Sequence, residues 1–204
     1  METCRKWGKF FTRANLNDIG GDLYMNSEIQ DHSFTSKQLF DNKEIMSSIS
    51  HIAAQINSTL KNQKIIVICV MKGALVFCGH LLPLLKVNIN LDYVHASRYG
   101  DSTKGSKLNW ISECHESLNG KSVLIVDDIC DEGKTLNEIK NYCLERGANE
   151  VYTAVLINRA MRENKEITPD FVGINLDDMR FVFGFGIDRD GYGRNLPNLY
   201  ATPN

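Results

Sequence analysis

Two apolar runs restrict what this chain can fold into. Residues 64–70 (KIIVICV) and 122–126 (SVLIV) are nearly unbroken hydrophobic segments of strand length. A strand with one wet face alternates, whereas a strand apolar at successive positions is covered on both faces. Each run leads directly into a turn and a segment with helical spacing. "MKGALVFCGHLLPLL" (71–85) turns through Gly73 into an apolar helix that bends or ends near Pro83. "TLNEIKNYCLERGA" (135–148) is amphipathic and stops at Gly147. Further strands are expected at 87–97, 109–113, 151–159, 170–176 and 181–187, and a helix over 36–60. This order predicts an α/β fold: a parallel sheet core flanked by helices, with a small cap from the chain termini.

The 204 residues, 43% apolar and 24% charged, suit one domain with a sizeable core. Residues 1–35 are polar and read as an N-terminal arm without an assigned role, leaving 36–204 as the domain. A net charge of -2 argues against a nucleic-acid coat or a polybasic membrane anchor. No apolar stretch is long enough to span a bilayer, and the first residues carry no apolar signal core. The six cysteines are scattered without a C-x-x-C pair. Cys69, Cys78 and Cys143 lie in apolar patterns, so buried thiols and a reducing, cytoplasmic setting are expected.

The chemistry concentrates at the end of the second run, "SVLIVDDICDEGKTLNEI". Asp127, Asp128, Asp131 and Glu132 crowd together just before Gly133, Lys134 and Thr135. In an open α/β sheet, ligands bind beyond the carboxyl ends of strands. The turn into the next helix offers backbone N–H groups, the positive end of the helix dipole and the Thr135 hydroxyl, which suits a phosphate. A pair of acids lies a few residues before it. A ribose 5-phosphate satisfies both halves: its phosphate enters the turn and its hydroxyls donate to the acids. Solvated loop acids are the bland alternative, but three aspartates and a glutamate around Gly-Lys-Thr disfavour it. A Walker A loop requires glycine where Asp128 stands. A response-regulator receiver requires more chain after Asp128 than the sequence has.

"VLIVDDICDEGKTL" resembles the signature of type I phosphoribosyltransferases, which bind phosphoribosyl pyrophosphate (PRPP). Three further stretches resemble the hypoxanthine/guanine branch, in the family's order: "VMKGALVF" its pyrophosphate loop, "ASRYGDSTKG" its closing lid, and "FVFGFGIDRDGYGRNLPNLYA" its purine-binding segment. The resemblance implies transfer of a phosphoribosyl group to a 6-oxopurine with Mg2+, releasing pyrophosphate. It implies Asp127 and Asp128 at the ribose hydroxyls and Asp131 as the general base near purine N7. Glu132, Gly133, Lys134 and Thr135 would wrap the 5-phosphate. Lys72, Gly73 and Arg194 would take the pyrophosphate, and the peptide before Lys72 can be cis in the family. Phe181 would stack on the base and Val182 read it through its backbone. Asp188 and Asp127 would contact magnesium. Arg98 and Tyr99 would stand at the base of a lid hinged by Gly100 and Gly105. Dimers or tetramers are common in the family.

Three positions depart from the pattern. Where many members carry a lysine for the purine 6-oxygen, after the strand written here "AVLIN", this chain has Arg159, a cation that could still donate to both O6 and N7 of the base. Arg98 replaces a common serine in the lid, and Glu132 stands where serine or threonine is common in the phosphate turn. Glu132 is therefore expected to point its side chain outward. Two other readings compete. A nucleotide-sensing, RNA-binding regulator on the same fold requires a basic face and often lacks the base residue; the charge of -2 and Asp131 speak against it. A pyrimidine-specific transferase would share the PRPP signature but not the C-terminal segment.

Overall fold

The computed structural model describes residues 36–97 and 108–203. The expected N-terminal arm and the lid residues Arg98, Tyr99, Gly100 and Gly105 lie outside the described residues. In chain order the elements are β1 (Lys37–Phe40), α1 (Asn42–Thr59), β2 (Lys64–Met71), α2 (Leu75–Leu81), β3 (Asn88–Ser97) and β4 (Asn109–Ser112). They continue with β5 (Ser122–Cys130), α3 (Lys134–Glu145), β6 (Glu150–Arg159), β7 (Phe171–Leu176), β8 (Val182–Phe183) and β9 (Leu199–Ala201). A 3-10 turn, Leu82–Leu84, ends α2 at Pro83 as expected.

The main sheet has the order β4-β3-β2-β5-β6-β7, parallel except for the edge strand β4. From β2 the chain crosses to β3 on one side; from β5 it crosses to β6 on the other. Right-handed crossovers running in opposite directions put α2 and α3 on opposite faces. That double cover is why Ile65 to Val70 and Val123 to Val126 are buried at every position. The direction changes between β2 and β5, so a crevice opens beyond their carboxyl ends.

Helix α1 packs on β6, β7 and α2. Its isoleucines 45, 49, 52 and 56 are fully buried along one face. At about 2 kcal/mol each, they outweigh the few tenths per residue lost to a helix rich in Ser and Asn. The helix begins later than its apolar spacing suggested. Asp41 caps it, accepting from the Glu44 backbone while the Glu44 carboxylate accepts from the Asp41 backbone. Residues 37–40 are instead the strand β1, paired antiparallel with β9, which also pairs with β8. This three-stranded sheet is the cap made from the two ends of the domain. The expected strand over 181–187 survives only as β8. Gly184, Phe185 and Gly186 take positive φ (98°, 46° and 100°), which ends any strand.

Candidate active site

Strand β5 runs four residues further than its apolar pattern, through Asp127 and Asp128 to Cys130. Its pairing with β2 stops at Cys69 and Val126, while pairing with β6 continues to Asn158. The two acids therefore stand where β2 has peeled away, at the open end of the crevice. Asp127 is buried and accepts from the Asp128 N–H at 3.0 Å; Asp128 accepts from the Ile129 N–H at 2.8 Å. Burial, and next the charge of Asp128, push the Asp127 carboxyl well above the usual range. Burial pushes Asp128 up as well, against the opposing pull of its hydrogen bonds and of the Arg194 charge. A pair held at such cost gains from hydroxyl donors or a cation.

The loop after β2 closes one side. The Met71–Lys72 peptide is cis, and Lys72 is exposed. A Cβ on Gly73 would lie 1.8 Å from Asp128 Oδ2, so only glycine lets the acid rest against this backbone. A Cβ on Gly186 would lie 2.4 Å from the Gly73 carbonyl oxygen. The C-terminal segment thus crosses directly over the loop. It brings Arg194, which donates to the Gly186 carbonyl at 2.7 Å and to Asp188 Oδ1 at 2.6 Å, while the Gly191 N–H donates to Asp188 Oδ2. Among the described residues no cluster of three or more His, Cys, Asp or Glu side chains forms a metal cage. Lone carboxylates such as Asp188 and Asp127 fit magnesium only where substrate phosphates and water complete the shell, which is that ion's usual arrangement.

The turn on the other side is built as a nest. Gly133 precedes α3 with φ +77°, and a Cβ there would meet Ile167 at 2.9 Å. Lys134 and Thr135 open the helix, where N–H groups point away from its ladder. Glu132 is exposed and paired with Lys134 at 2.7 Å. The Lys134 bond holds its carboxyl below the usual range. Asp131 is gripped at both oxygens by Arg162, at 2.6 and 3.1 Å. Lys165 donates to the Cys130 carbonyl and to Asn158. The Glu166 N–H donates to the Glu132 carbonyl at 3.0 Å. The loop between β6 and β7 therefore buttresses the turn along its whole length.

At the far end, Phe181 is 54% exposed, while Val182, Phe183 and Phe185 are buried. Val182 pairs with Ala201 in the cap sheet. Arg159 closes β6. Its side chain is buried, and its terminal nitrogens donate to the carbonyls of Asp178 and Arg180. It clasps the segment leading to Phe181, and the charge of Asp131 also acts on it. Arg162 and Lys165 were missed in the sequence. Two cations in the polar stretch "AMRENKEIT" were the available signal, but a solvated loop gives the same pattern.

A parallel sheet with a ligand crevice at its switch point, acids on one strand and an anion turn on the next helix define the class of protein. The comparisons with known proteins agree. The phosphoribosyl transferase domain matches residues 35–190. The chain belongs to the phosphoribosyl transferase domain family. It is 31% identical to a hypoxanthine-guanine phosphoribosyltransferase of Aquifex aeolicus over 168 residues, covering 81% of this chain and 94% of that one. A solved hypoxanthine-guanine phosphoribosyltransferase from Bacillus anthracis superposes with a TM-score of 0.76 at 27% identity, covering 82% of this chain and 98% of its own. A hypoxanthine phosphoribosyltransferase from Trypanosoma cruzi, in complex with the product IMP, gives a TM-score of 0.74 at 26% identity, over 83% of this chain and 95% of its own.

Proposed function

We propose that this protein transfers the 5-phosphoribosyl group of PRPP to a 6-oxopurine, releasing pyrophosphate, as a purine-salvage enzyme. Hypoxanthine and guanine are the expected bases, with xanthine a third candidate. One observation carries the reading: Asp128, beside the buried Asp127, rests against Gly73 at the switch point and feels the charge of Arg194, which is paired with Asp188. The names of the related proteins support it.

In the reaction the bond from ribose carbon 1 to pyrophosphate breaks, a bond to a base nitrogen forms, and the base loses a proton. The sugar ring becomes positive on the way. Asp127 and Asp128, kept close and short of donors, hold the ribose hydroxyls and favour that charge. Asp131 takes the proton from the purine, exchanging part of its grip on Arg162 for the base. Glu132 to Thr135 hold the 5-phosphate through backbone N–H groups and the Thr135 hydroxyl. Lys72, the Gly73 backbone and Arg194 receive the pyrophosphate. Asp188 and Asp127 would hold magnesium, which neutralises charge on the leaving phosphates. Phe181 offers its exposed ring to the base and Val182 its backbone.

We read the protein further as a cytoplasmic homo-oligomer. Ile89, Leu91 and Tyr93 lie exposed at alternate positions of β3, with Ile111 exposed on β4, as a covered face would require. Among the described residues no helix is long and apolar enough to cross a membrane. The test of function is a panel of five bases with PRPP and magnesium, followed by ultraviolet absorbance. Turnover of hypoxanthine or guanine is expected. No spectral change with any 6-oxopurine overturns the reading.

A further inference from the structure

We propose that the amino ends of β2, β3 and β5 form a second binding site, for a small phosphate ester that also carries hydroxyls. A cavity of about 280 Å³ opens there, lined among others by Lys64, Ile66, Asn88, Asn90, Glu116 and Lys121. It is separate from the transfer site. Lys64 begins β2 and the Gly73 loop follows its end, so the two sites stand an eight-residue strand apart, roughly 26 Å. Strand alternation and register fix the floor. Lys64 and Ile66 share one face of β2, and Asn88 and Asn90 are their partners on β3. Asp92 is next on that face. It is buried and accepts from the N–H groups of His115 and Glu116 at 2.7 and 2.9 Å and from the Cys114 thiol at 3.0 Å. That grip lays the segment 114–116 over the face as a wall. The wall's far end is held too. The Gly120 N–H donates to the Gly147 carbonyl, the Lys121 N–H to the Leu118 carbonyl, and the Asn149 N–H to the Lys121 carbonyl. The backbone thus fixes the space before any ligand arrives, which lowers the ordering cost of binding.

The lining names the ligand. Among the described residues neither Lys64 nor Lys121 is paired with an acid. Solvated lysines alone would carry no such meaning; the fixed wall and the apolar floor between them do. Two ammonium groups suit a phosphate monoester, which carries about two negative charges near neutral pH. Glu116 stands in the wall, and an ionised carboxylate only accepts. Bare inorganic phosphate would meet it charge to charge, whereas a ligand with hydroxyls brings it donors. The carboxamides of Asn88 and Asn90 serve donors and acceptors alike. Buried Ile66 lies beneath them as an apolar surface for a ring. The volume is at the small end for ligand pockets, which suits one sugar phosphate or mononucleotide and excludes a peptide.

The test is NMR titration of the nitrogen-15-labelled full chain with ribose 5-phosphate, IMP and inorganic phosphate. The amides of residues 64–66, 88–90 and 116–121 are followed together with those of 133–135. Saturable shifts at the strand ends are expected with at least one of the two esters. A response to ribose 5-phosphate names a sugar phosphate as sufficient; a response to IMP only names a mononucleotide. The double variant Lys64→Glu/Lys121→Glu should raise the Kd read at the strand ends by at least about tenfold, the scale of a lost hydrogen bond to a charged group. It should leave the response at 133–135 unchanged. Glu116→Gln should narrow the advantage of ester over inorganic phosphate. No saturable shift at the strand ends with either ester, an equal response to inorganic phosphate, or an unchanged Kd in the double variant overturns the site. The amides at 133–135 report the transfer reading on their own, so the two readings fail separately.

Discussion

Replacing Gly73 by alanine tests whether the acids and the β2 loop work as one unit. The backbone of Gly73 is outside the positive-φ region, so alanine is free to adopt it. The added methyl is the whole perturbation. It would stand 1.8 Å from Asp128 Oδ2 and 2.5 Å from the carboxyl carbon, where real Cβ contacts start near 3.0 Å. The acid must retreat by about 1.2 Å, or the loop must lift by as much. A misplacement of about 1 Å at a reacting group costs roughly a hundredfold in rate. The expected fall in kcat/KM with PRPP is therefore about a hundredfold, or about 2.7 kcal/mol of transition-state stabilisation. Gly79→Ala is the control: nothing lies within 4 Å of its Cβ, and it sits in α2. It should leave kinetics alone and stabilise the fold by about 1 kcal/mol. Combining Gly73→Ala with Asp128→Ala should cost little beyond Asp128→Ala, because the clash has gone. Wild-type kinetics in Gly73→Ala, or full additivity in the double variant, would refute the reasoning.

Three other outcomes follow from the same geometry. Asp131→Asn should lower turnover by about a hundred- to ten-thousandfold while PRPP binding, read by calorimetry, persists; unchanged turnover removes its role. Arg159→Met strips donors from the carbonyls of Asp178 and Arg180. It should cost about 2 kcal/mol or more in urea unfolding, and an unmoved midpoint contradicts the clasp. Asp178 is drawn down to about 2, chiefly by its hydrogen bonds to the Arg180 side chain. A carboxyl lowered on folding stabilises above its unfolded value, near 3.9, and loses that stabilisation as pH falls toward the folded one. The stability gap between wild type and Asp178→Asn should narrow from pH ~4 to ~2; a constant gap means the pair contributes nothing.

The sheet was legible because burial on both faces leaves an unbroken apolar run, as in β2 and β5. Its far edge was less so. Asp127 and Asp128 end the apolar pattern of β5 without ending its hydrogen bonds to β6, and polarity alone does not report a ladder. Residues 37–40 looked helical because Leu39 and Phe40 share the phase of α1, yet the Asp41 cap decides where that helix begins. Strand β9 has three residues and takes its place only from partners distant in sequence. The acids and the phosphate turn were readable because neighbours along the chain build them. The clasp made by Arg159 was not readable because the carbonyls it holds lie 19 and 21 residues away. Lys165 passed unseen because its partners, the Cys130 carbonyl and Asn158, lie 35 and 7 residues away.

The small sheet has a consequence for how the molecule comes into being. Its middle strand, β9, is translated after every residue assigned to the pocket, and it alone stitches β8 to β1. On the ribosome the acids, the loop and the phosphate turn can be in register while the segment bearing Phe181 and Arg194 still hangs loose. Such a nascent chain would grasp the sugar end of its substrate before it could recognise a base.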